Sequence, residues 1–365
     1  MTEYLSGLFD SLQELTAISG VSGREHEIVK VLQKKFSSLA DNVLVDSHGN
    51  LVALREGGLT GPAYMISVHS DEVGAVVTAV TDEGFLRFHP VGAVDRKIFP
   101  GTRLLVDNRI IGTVVCVSGH TSLQSADKHN ASESLLLDIG AASADQVGEW
   151  QIQPGNSISF ISPLTKLTRE NLVMGKAIDN RVGCLILLKL FEYLKDKKFP
   201  GRLYGVVTVQ EEIGMRGARM ITNRLNPDFA IIIDTVPLDD TPLNTMPDVP
   251  VRLGQGPVLQ TWIGKDNLLI GTVAHEGVSE LLESAADQLG LSLQRIAAYG
   301  NWVTDGAVVH TSLLGIPTSF LSIPRRYGHT PNEIADLNDV VSAIKILKKI
   351  VVEKANDFKP EFLRD

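Results

Sequence analysis

Short, nearly continuous apolar runs alternate with amphipathic helical stretches along most of this chain. The runs are Ala63 to Val68, Leu203 to Val209, Phe229 to Ile233 and Ile316 to Leu321. A run without polar alternation is typical of a strand buried on both faces, and strands that alternate with helices are typical of an α/β fold. The sequence therefore predicts an α/β protein with a mixed sheet covered by helices.

Helices are predicted where apolar residues recur every three or four positions. Residues 3–18 and 28–36 give two opening helices, and residues 181–195 give a third. Asn338 is the predicted N-cap of a last helix, whose apolar face of Val340, Ile344 and Leu347 would cover one side of the sheet.

Residues 74–163 have a different pattern. Val76, Thr78 and Val80 alternate with period two, and turn signals occur at residues 82–84 and 107–108. A chain of 365 residues also exceeds the about 250 to 300 residues at which single cores stop growing. We therefore predict a β-rich domain of residues 74–163 inserted into a discontinuous α/β domain of residues 1–73 and 164–365.

Composition excludes several kinds of partner and site. The chain has 34 Lys plus Arg against 43 Asp plus Glu, a formal net charge of −9, whereas nucleic-acid binding needs a basic face. Its two cysteines, Cys116 and Cys184, lie in apolar runs, so a metal would have to be held by His and carboxylates. The opening residues are acidic and amphipathic rather than basic and continuously apolar, so we expect no secretory signal, and no apolar run approaches the about 20 residues of a membrane span. We expect a cytoplasmic protein with no nucleic-acid or membrane partner.

Side chains that can bind metal follow the predicted strands. They are His69, Asp71 and Glu72 after the first run, Glu211 and Glu212 after the second, Asp234 after the third, His329 after the last, and Asp179 at the start of the predicted helix 181–195. In open α/β sheets, functional residues gather beyond the carboxyl ends of the strands. We therefore expect these side chains to converge on one rim of the sheet.

Such a concentration of acids needs a positive charge within it, because neighbouring carboxylates raise one another's pKa. Two divalent ions would resolve this, since three carboxylates and two neutral imidazoles around them leave a net charge of about +1. Each residue alone has a structural explanation, but such explanations do not account for a potential ligand after every run. The other histidines show no comparable pattern, and only His120 and His310 are left open.

The chain resembles the tetrahedral aminopeptidase family of dinuclear metallopeptidases, which includes the glutamyl and deblocking aminopeptidases. The resemblance is carried by His69-Ser70-Asp71-Glu72-Val73-Gly74, Gly175 to Arg181, Glu211-Glu212-Ile213-Gly214, Ile233-Asp234-Thr235 and Arg326 to Pro331. It spans nearly the whole chain. It implies a zinc-peptidase-like catalytic domain with an inserted small β-barrel-like domain.

The resemblance also implies a role for each candidate. Asp179 would bridge two metals, with His69 and Asp234 completing one site and Glu212 and His329 the other; Glu211 would be the general base, and Asp71 would orient His69. The metals would be zinc or cobalt, with manganese as a further option. The implied reaction is removal of N-terminal residues from small peptides, by a homo-oligomer that pairs through the inserted domain and builds from dimers to a dodecamer.

Residues 301–310 depart from the family pattern, although Thr304 and Asp305 are retained. Because loops near strand ends shape the pocket, this departure affects the expected substrate preference more than the chemistry. Two alternatives are left open. One is a related dinuclear deacylase or carboxypeptidase, although such relatives carry an α/β domain inserted after the Glu-Glu pair. The other is a catalytically silent scaffold of the same fold.

Overall fold

The structure is a computed structural model that describes residues 2–116, 135–243, 245–246, 249–265, 270–299, 302–355 and 358–362. The helices are α1 (Thr2–Ala17), α2 (His26–Phe36), α3 (Ala144–Glu149), α4 (Ile178–Leu194), α5 (Arg216–Leu225), α6 (Glu276–Leu289), α7 (Gly306–Val309) and α8 (Leu337–Lys349). A 3₁₀ turn covers Arg96–Ile98, and a π turn, Ile350–Lys354, follows α8. Among the described helices, none has both the length and the apolar character that crossing a bilayer requires.

The main sheet is mixed and contains the predicted buried strands. Its order is β1 (Asn42–Val45), β2 (Leu51–Glu56), β12 (Phe199–Thr208), β3 (Gly58–His69), β13 (Phe229–Ile232) and β18 (Thr318–Phe320). Strands β12, β3, β13 and β18 run parallel, whereas β1 and β2 add an antiparallel edge. The predicted α/β class is confirmed.

Two strands of the main sheet are followed directly by strands of a second sheet. The sequence predicted a single sheet only. Its order is β10 (Thr165–Lys166), β11 (Leu172–Gly175), β20 (Glu333–Asp336), β19 (Ile323–Arg326) and β14 (Thr235–Leu238). The chain passes from β13 to β14 through Asp234, and from β18 to β19 through Ser322. An apolar run does not reveal where its strand changes sheet, because both halves are equally buried. A third sheet contains β16 (Ile270–Val273), β15 (Val258–Lys265) and β17 (Gln294–Tyr299).

A closed barrel is formed within the predicted β-rich segment. Its strands are β4 (Gly74–Val80), β5 (Leu86–Val91), β8 (Leu136–Asp138), β7 (Ile110–Val114), β6 (Arg103–Val106) and β9 (Ser157–Phe160). Side chains fill it, as in other small barrels, with Phe99 stacked on Phe160 at 5.4 Å between ring centroids. The division into domains of residues 1–73 plus 164–365 and residues 74–163 stays a prediction.

Helix α4 is buried on almost every side, which makes it a fixed support for Asp179 at its start. Its fully buried Arg181 donates from Nη1 to the carbonyl oxygens of Leu15 and Ile18, at the end of α1, and from Nε to that of Ser70. Gly20 permits this approach, because a Cβ atom there would lie 2.7 Å from Arg181 Nη2. Arg181 thus ties the loop after His69 to α1.

The last helix begins slightly earlier than predicted. Asp336 is its N-cap, and the Asp336 carboxylate accepts the backbone N–H of Asn338 at 2.8 Å. The prediction of Asn338 as N-cap is therefore wrong. Both residue types are strong N-caps, and sequence alone does not decide between them when they lie two positions apart.

Candidate metal centre

The predicted ligands meet at the junction between the main and second sheets. His69 ends β3, Asp179 is the second residue of α4, Glu211 and Glu212 follow β12, Asp234 joins β13 to β14, and His329 lies between β19 and β20. All of them line one cavity of about 520 Å³. Asp71 lies behind His69 and is fully buried.

His69 faces two carboxylates with one ring nitrogen and Asp71 with the other. Nε2 lies 3.2 Å from Asp179 Oδ1 and 3.4 Å from Asp234 Oδ1. Nδ1 lies 3.2 Å from the Asp71 carbonyl oxygen and 3.4 Å from Asp71 Oδ1. Contacts to Nδ1 of this kind fix the orientation of the ring and leave Nε2 facing the cavity.

His329 repeats this arrangement from the second sheet. Its Nε2 lies 3.3 Å from Glu212 Oε2 and 3.5 Å from Asp179 Oδ2. Its Nδ1 lies 3.0 Å from the carbonyl oxygen of Ala93, in the loop that follows barrel strand β5. The two oxygens of Asp179 therefore face different histidines.

The residues present fit a divalent metal ion. The buried oxygens Asp179 Oδ1 and Glu212 Oε1 have no hydrogen-bond partner among the described residues, an arrangement that is costly unless something positive satisfies them. One potential ligand atom from each of His69, Asp179 and Glu212 lies within 4.8 Å of the others. Imidazole nitrogens and carboxylate oxygens are a donor set that zinc and related divalent ions accept.

Burial and the neighbouring charges shift the pKa values of the histidines and carboxylates in this cluster. Burial alone would lower the pKa of His69, but the Asp234 and Asp179 carboxylates raise it well above its usual value. Burial and the charge of Asp179 raise the pKa of Asp234 to about 6. Burial also opposes ionisation of Asp179, but Arg325, His329 and His69 hold its pKa well below the usual value. A bound divalent ion would favour the neutral form of the His69 imidazole and the ionised form of the Asp234 carboxylate.

Glu211 is buried at the cavity wall, and Asp71 holds its backbone. The Asp71 carboxylate accepts the N–H of Glu211 at 3.0 Å and that of Glu212 at 3.1 Å. Burial and the charges of Asp234, Glu212 and Asp305 raise the pKa of Glu211 well above its usual value, against the opposing effect of His69. A carboxyl group with a raised pKa beside a cavity is suited to accepting and returning a proton.

Comparison with known proteins decides the family. The sequence profile of the M42 glutamyl aminopeptidase family matches residues 49–346. The chain belongs to this family. A putative aminopeptidase of Acetivibrio thermocellus is 34% identical over 347 residues, which cover 94% of this chain and 98% of that protein.

Solved structures agree with the M42 assignment. An aminopeptidase from the archaeon Desulfurococcus kamchatkensis matches with a TM-score of 0.90 and 30% identity over 97% of each chain. The TET1 peptidase of Pyrococcus horikoshii, described as assembling into a tetrahedron or a large octahedral shell, matches with a TM-score of 0.81 and 27% identity. That match covers 95% of this chain and 99% of the other. The predicted family and the predicted aminopeptidase class are confirmed.

Two buried residues of this M42 site were not among the predicted ones. Arg325 Nη2 lies 2.8 Å from Asp179 Oδ2. Glu333 accepts the backbone N–H of Asp179 at 3.0 Å and that of His329 at 2.9 Å. Alternation along β19 is the signal that could have indicated Arg325, since neighbouring strand residues point to opposite faces and Arg326 is the more exposed of the two.

Part of the unusual segment 301–310 contributes to the cavity wall. Trp302, Val303 and Thr304 line it. Asp305 is buried and accepts the Thr208 hydroxyl at 2.6 Å. His310 directly follows α7, and its Nδ1 lies 2.7 Å from the carbonyl oxygen of Gly306 at the start of that helix. His120 lies outside the described residues. An effect of this segment on substrate preference stays a prediction.

Proposed function

We propose that this M42 family member is a dinuclear metallo-aminopeptidase that removes N-terminal residues from small peptides. The observation that carries the proposal is the arrangement of Asp179, whose Oδ1 faces His69 and whose Oδ2 faces His329. One carboxylate between two histidines, each beside a further carboxylate, is suited to holding two ions.

Asp179 would bridge the ions. His69 and Asp234 would complete one metal position, and Glu212 and His329 the other. The distances among these side chains support the assignment, because each histidine Nε2 lies within 3.5 Å of two carboxylate oxygens. The donor set accepts zinc, cobalt or manganese, of which we propose zinc or cobalt.

When bound, two divalent ions supply polarisation of the scissile carbonyl and a lowered pKa for water at the site. Glu211 would accept a proton from the attacking water as its oxygen bonds to the carbonyl carbon. It would then return the proton to the amine nitrogen as the C–N bond breaks. The backbone hydrogen bond from Glu211 to Asp71 supports this role, because it ties the base to the residue that contacts His69 Nδ1. Asp71 would thereby orient His69.

We further propose a homo-oligomer in which dimers form through the inserted domain of residues 74–163 and build to a dodecamer. The proposal is supported by the similarity to the TET1 peptidase of Pyrococcus horikoshii, described as forming a tetrahedron or an octahedral shell. Native mass spectrometry of the purified chain tests it. A mass of twelve chains is expected, and a monomer at micromolar concentration would contradict it. The cytoplasmic location also stays a prediction.

The test of activity uses chelator-treated protein supplied with zinc, cobalt or manganese. We expect two ions per chain by elemental analysis, and metal-dependent release of chromophore from aminoacyl substrates with a free amino group. Matched substrates with an acetylated amino group serve as controls for the deacylase alternative. Two bound ions without hydrolysis of any aminoacyl substrate would indicate a silent scaffold and contradict the proposal.

A further inference from the structure

Arg325 is a buried cation in direct contact with the proposed bridging carboxylate. Its side chain is 4% exposed, and Nη2 lies 2.8 Å from Asp179 Oδ2. Nη1 forms an ion pair with Glu333, which also accepts the backbone N–H groups of Asp179 and His329. Since a guanidinium group stays protonated in proteins, this positive charge is permanent.

The contact is on only one side of the site. Asp179 Oδ2, which faces Arg325, is also the oxygen that faces His329, at 3.5 Å from Nε2. Asp179 Oδ1 faces His69 instead, at 3.2 Å. Within the described residues, no Lys or Arg lies within ion-pair distance of Asp234, the other acid beside His69.

The two halves match in their proposed ligands. Each has one histidine and one carboxylate besides the shared Asp179, namely His69 with Asp234 and His329 with Glu212. Their outer groups differ. The Asp71 carboxylate lies beside His69 Nδ1, whereas Glu333 on the His329 side is paired with Arg325. Within the described residues, Arg325 is the one Lys or Arg side chain at ion-pair distance from a proposed ligand oxygen. A fixed positive charge on a ligand oxygen repels a second cation there, and the low effective dielectric of a buried site strengthens that repulsion.

We infer that Arg325 is a built-in counter-cation that weakens metal binding at the Glu212–His329 position relative to the His69–Asp234 position. Arg325 also neutralises Asp179 and Glu333 while that position is empty. The chain then fills its two positions in sequence, and the second ion exchanges more readily. Arg325 would act on the metals through its contact with Asp179 and would not be a ligand itself. The inference rests on the proposed dinuclear function.

The test is a metal titration of chelator-treated full-length protein with Zn²⁺ alone, followed by competition with a chromophoric chelator. The wild type is expected to bind two ions with dissociation constants at least about tenfold apart. Arg325→Gln removes the charge. The dissociation constant of its more weakly bound ion should therefore fall by about tenfold or more and approach that of the tightly bound ion. Arg325→Lys keeps the charge and should retain two separate constants.

Arg326→Gln is the matched control. Arg326 is the next residue of the same strand, but it forms its ion pair with Asp240 rather than Asp179. Its metal affinities should equal those of the wild type. If Arg325 served only to fix the orientation of the Asp179 carboxylate, Arg325→Gln would bind metal more weakly than the wild type.

Thermal unfolding supplies a second readout. Arg325→Gln should lower the melting temperature of the metal-free protein more than that of the zinc-loaded protein, because only the empty site needs the counter-cation. Equal wild-type affinities, or an Arg325→Gln variant with unchanged or weaker binding, would overturn the inference. If Arg325→Gln does not fold, the wild type and Arg325→Lys test the inference, because each must bind two zinc ions with unequal dissociation constants. A wild type that binds fewer than two ions would overturn the dinuclear proposal itself, and this inference with it.

Discussion

Asp71 Oδ1 accepts the backbone N–H of Glu211 at 3.0 Å. The same carboxylate accepts the Ser22 hydroxyl at 2.6 Å and lies 3.4 Å from His69 Nδ1. A single buried acid thus links the proposed base to a proposed ligand. Burial would raise the pKa of Asp71, but the contacts with His69, Ser22 and Glu211 hold it below its usual value.

Replacing Asp71 by Asn should therefore affect metal binding and turnover together. An amide has one acceptor oxygen where the carboxylate has two, so at least one of these contacts is lost. We expect zinc affinity and kcat/KM each to fall by about 10- to 100-fold. Chelator competition and steady-state kinetics measure the two effects. Ser22→Ala is the control, because it removes only one donor; an equal loss in that variant would contradict the role given to Asp71.

Replacing Glu211 by Gln should separate metal binding from catalysis. The amide cannot accept a proton, whereas the proposed ligands stay intact. We expect unchanged ion content and a fall in kcat of about 100- to 10,000-fold. Elemental analysis and a chromogenic aminoacyl assay give the two values. Activity near that of the wild type would show that another group is the base.

Replacing Asp179 by Ala should lower the occupancy of both metal positions at once, since both proposed ion positions share its carboxylate. Asp234→Asn is the contrasting variant, because Asp234 lies beside His69 and, among the described residues, forms no ion pair on the His329 side. It should weaken one position and leave the other. Ion counts at increasing zinc concentration distinguish these patterns. Retention of one tightly bound ion by Asp179→Ala would show that Asp179 is not the bridge.

Asp339, on α8, offers a prediction about pH and stability away from the metal centre. Its carboxylate accepts the backbone N–H groups of Gly254 at 2.8 Å and Gly256 at 2.7 Å. Burial raises its pKa to about 7, although both N–H groups oppose the shift. A folded-state pKa above the unfolded value means that folding takes up a proton. The stabilisation is therefore complete below about pH 4 and is lost as the pH rises through about 7.

Asp339→Asn isolates this effect, since its amide does not titrate. Relative to the variant, the wild type should lose roughly 2 to 4 kcal/mol of unfolding free energy between pH 4 and pH 8. Urea unfolding of both proteins across that range measures the difference. A difference that grows in favour of the wild type would show that the two N–H donors outweigh burial.

Much of the fold and site could be predicted from local pattern. The run Ala63 to Val68 lies in the second half of β3, which is buried from Tyr64 onward and ends at His69, and the alternation after Gly74 became barrel strands. The second sheet could not be predicted, because nothing in the run through Ile233 and Asp234 shows that its strand passes from one sheet to another. The contact between Ala93 and His329 was equally hidden, since it joins a barrel loop to a residue 236 positions away.

The sequence by itself determined which chemistry is available: histidines and acids at strand ends, no cysteine ligands, and motifs spaced as in the M42 family. Periodicity and ligand type are local properties, so they can be read without coordinates. The tertiary structure decided how the charges are distributed. It placed Arg325 on Asp179 Oδ2 while leaving Asp234 without such a partner in the described chain. Electrostatic effects depend on distance and burial, which arise only when separate strands pack together.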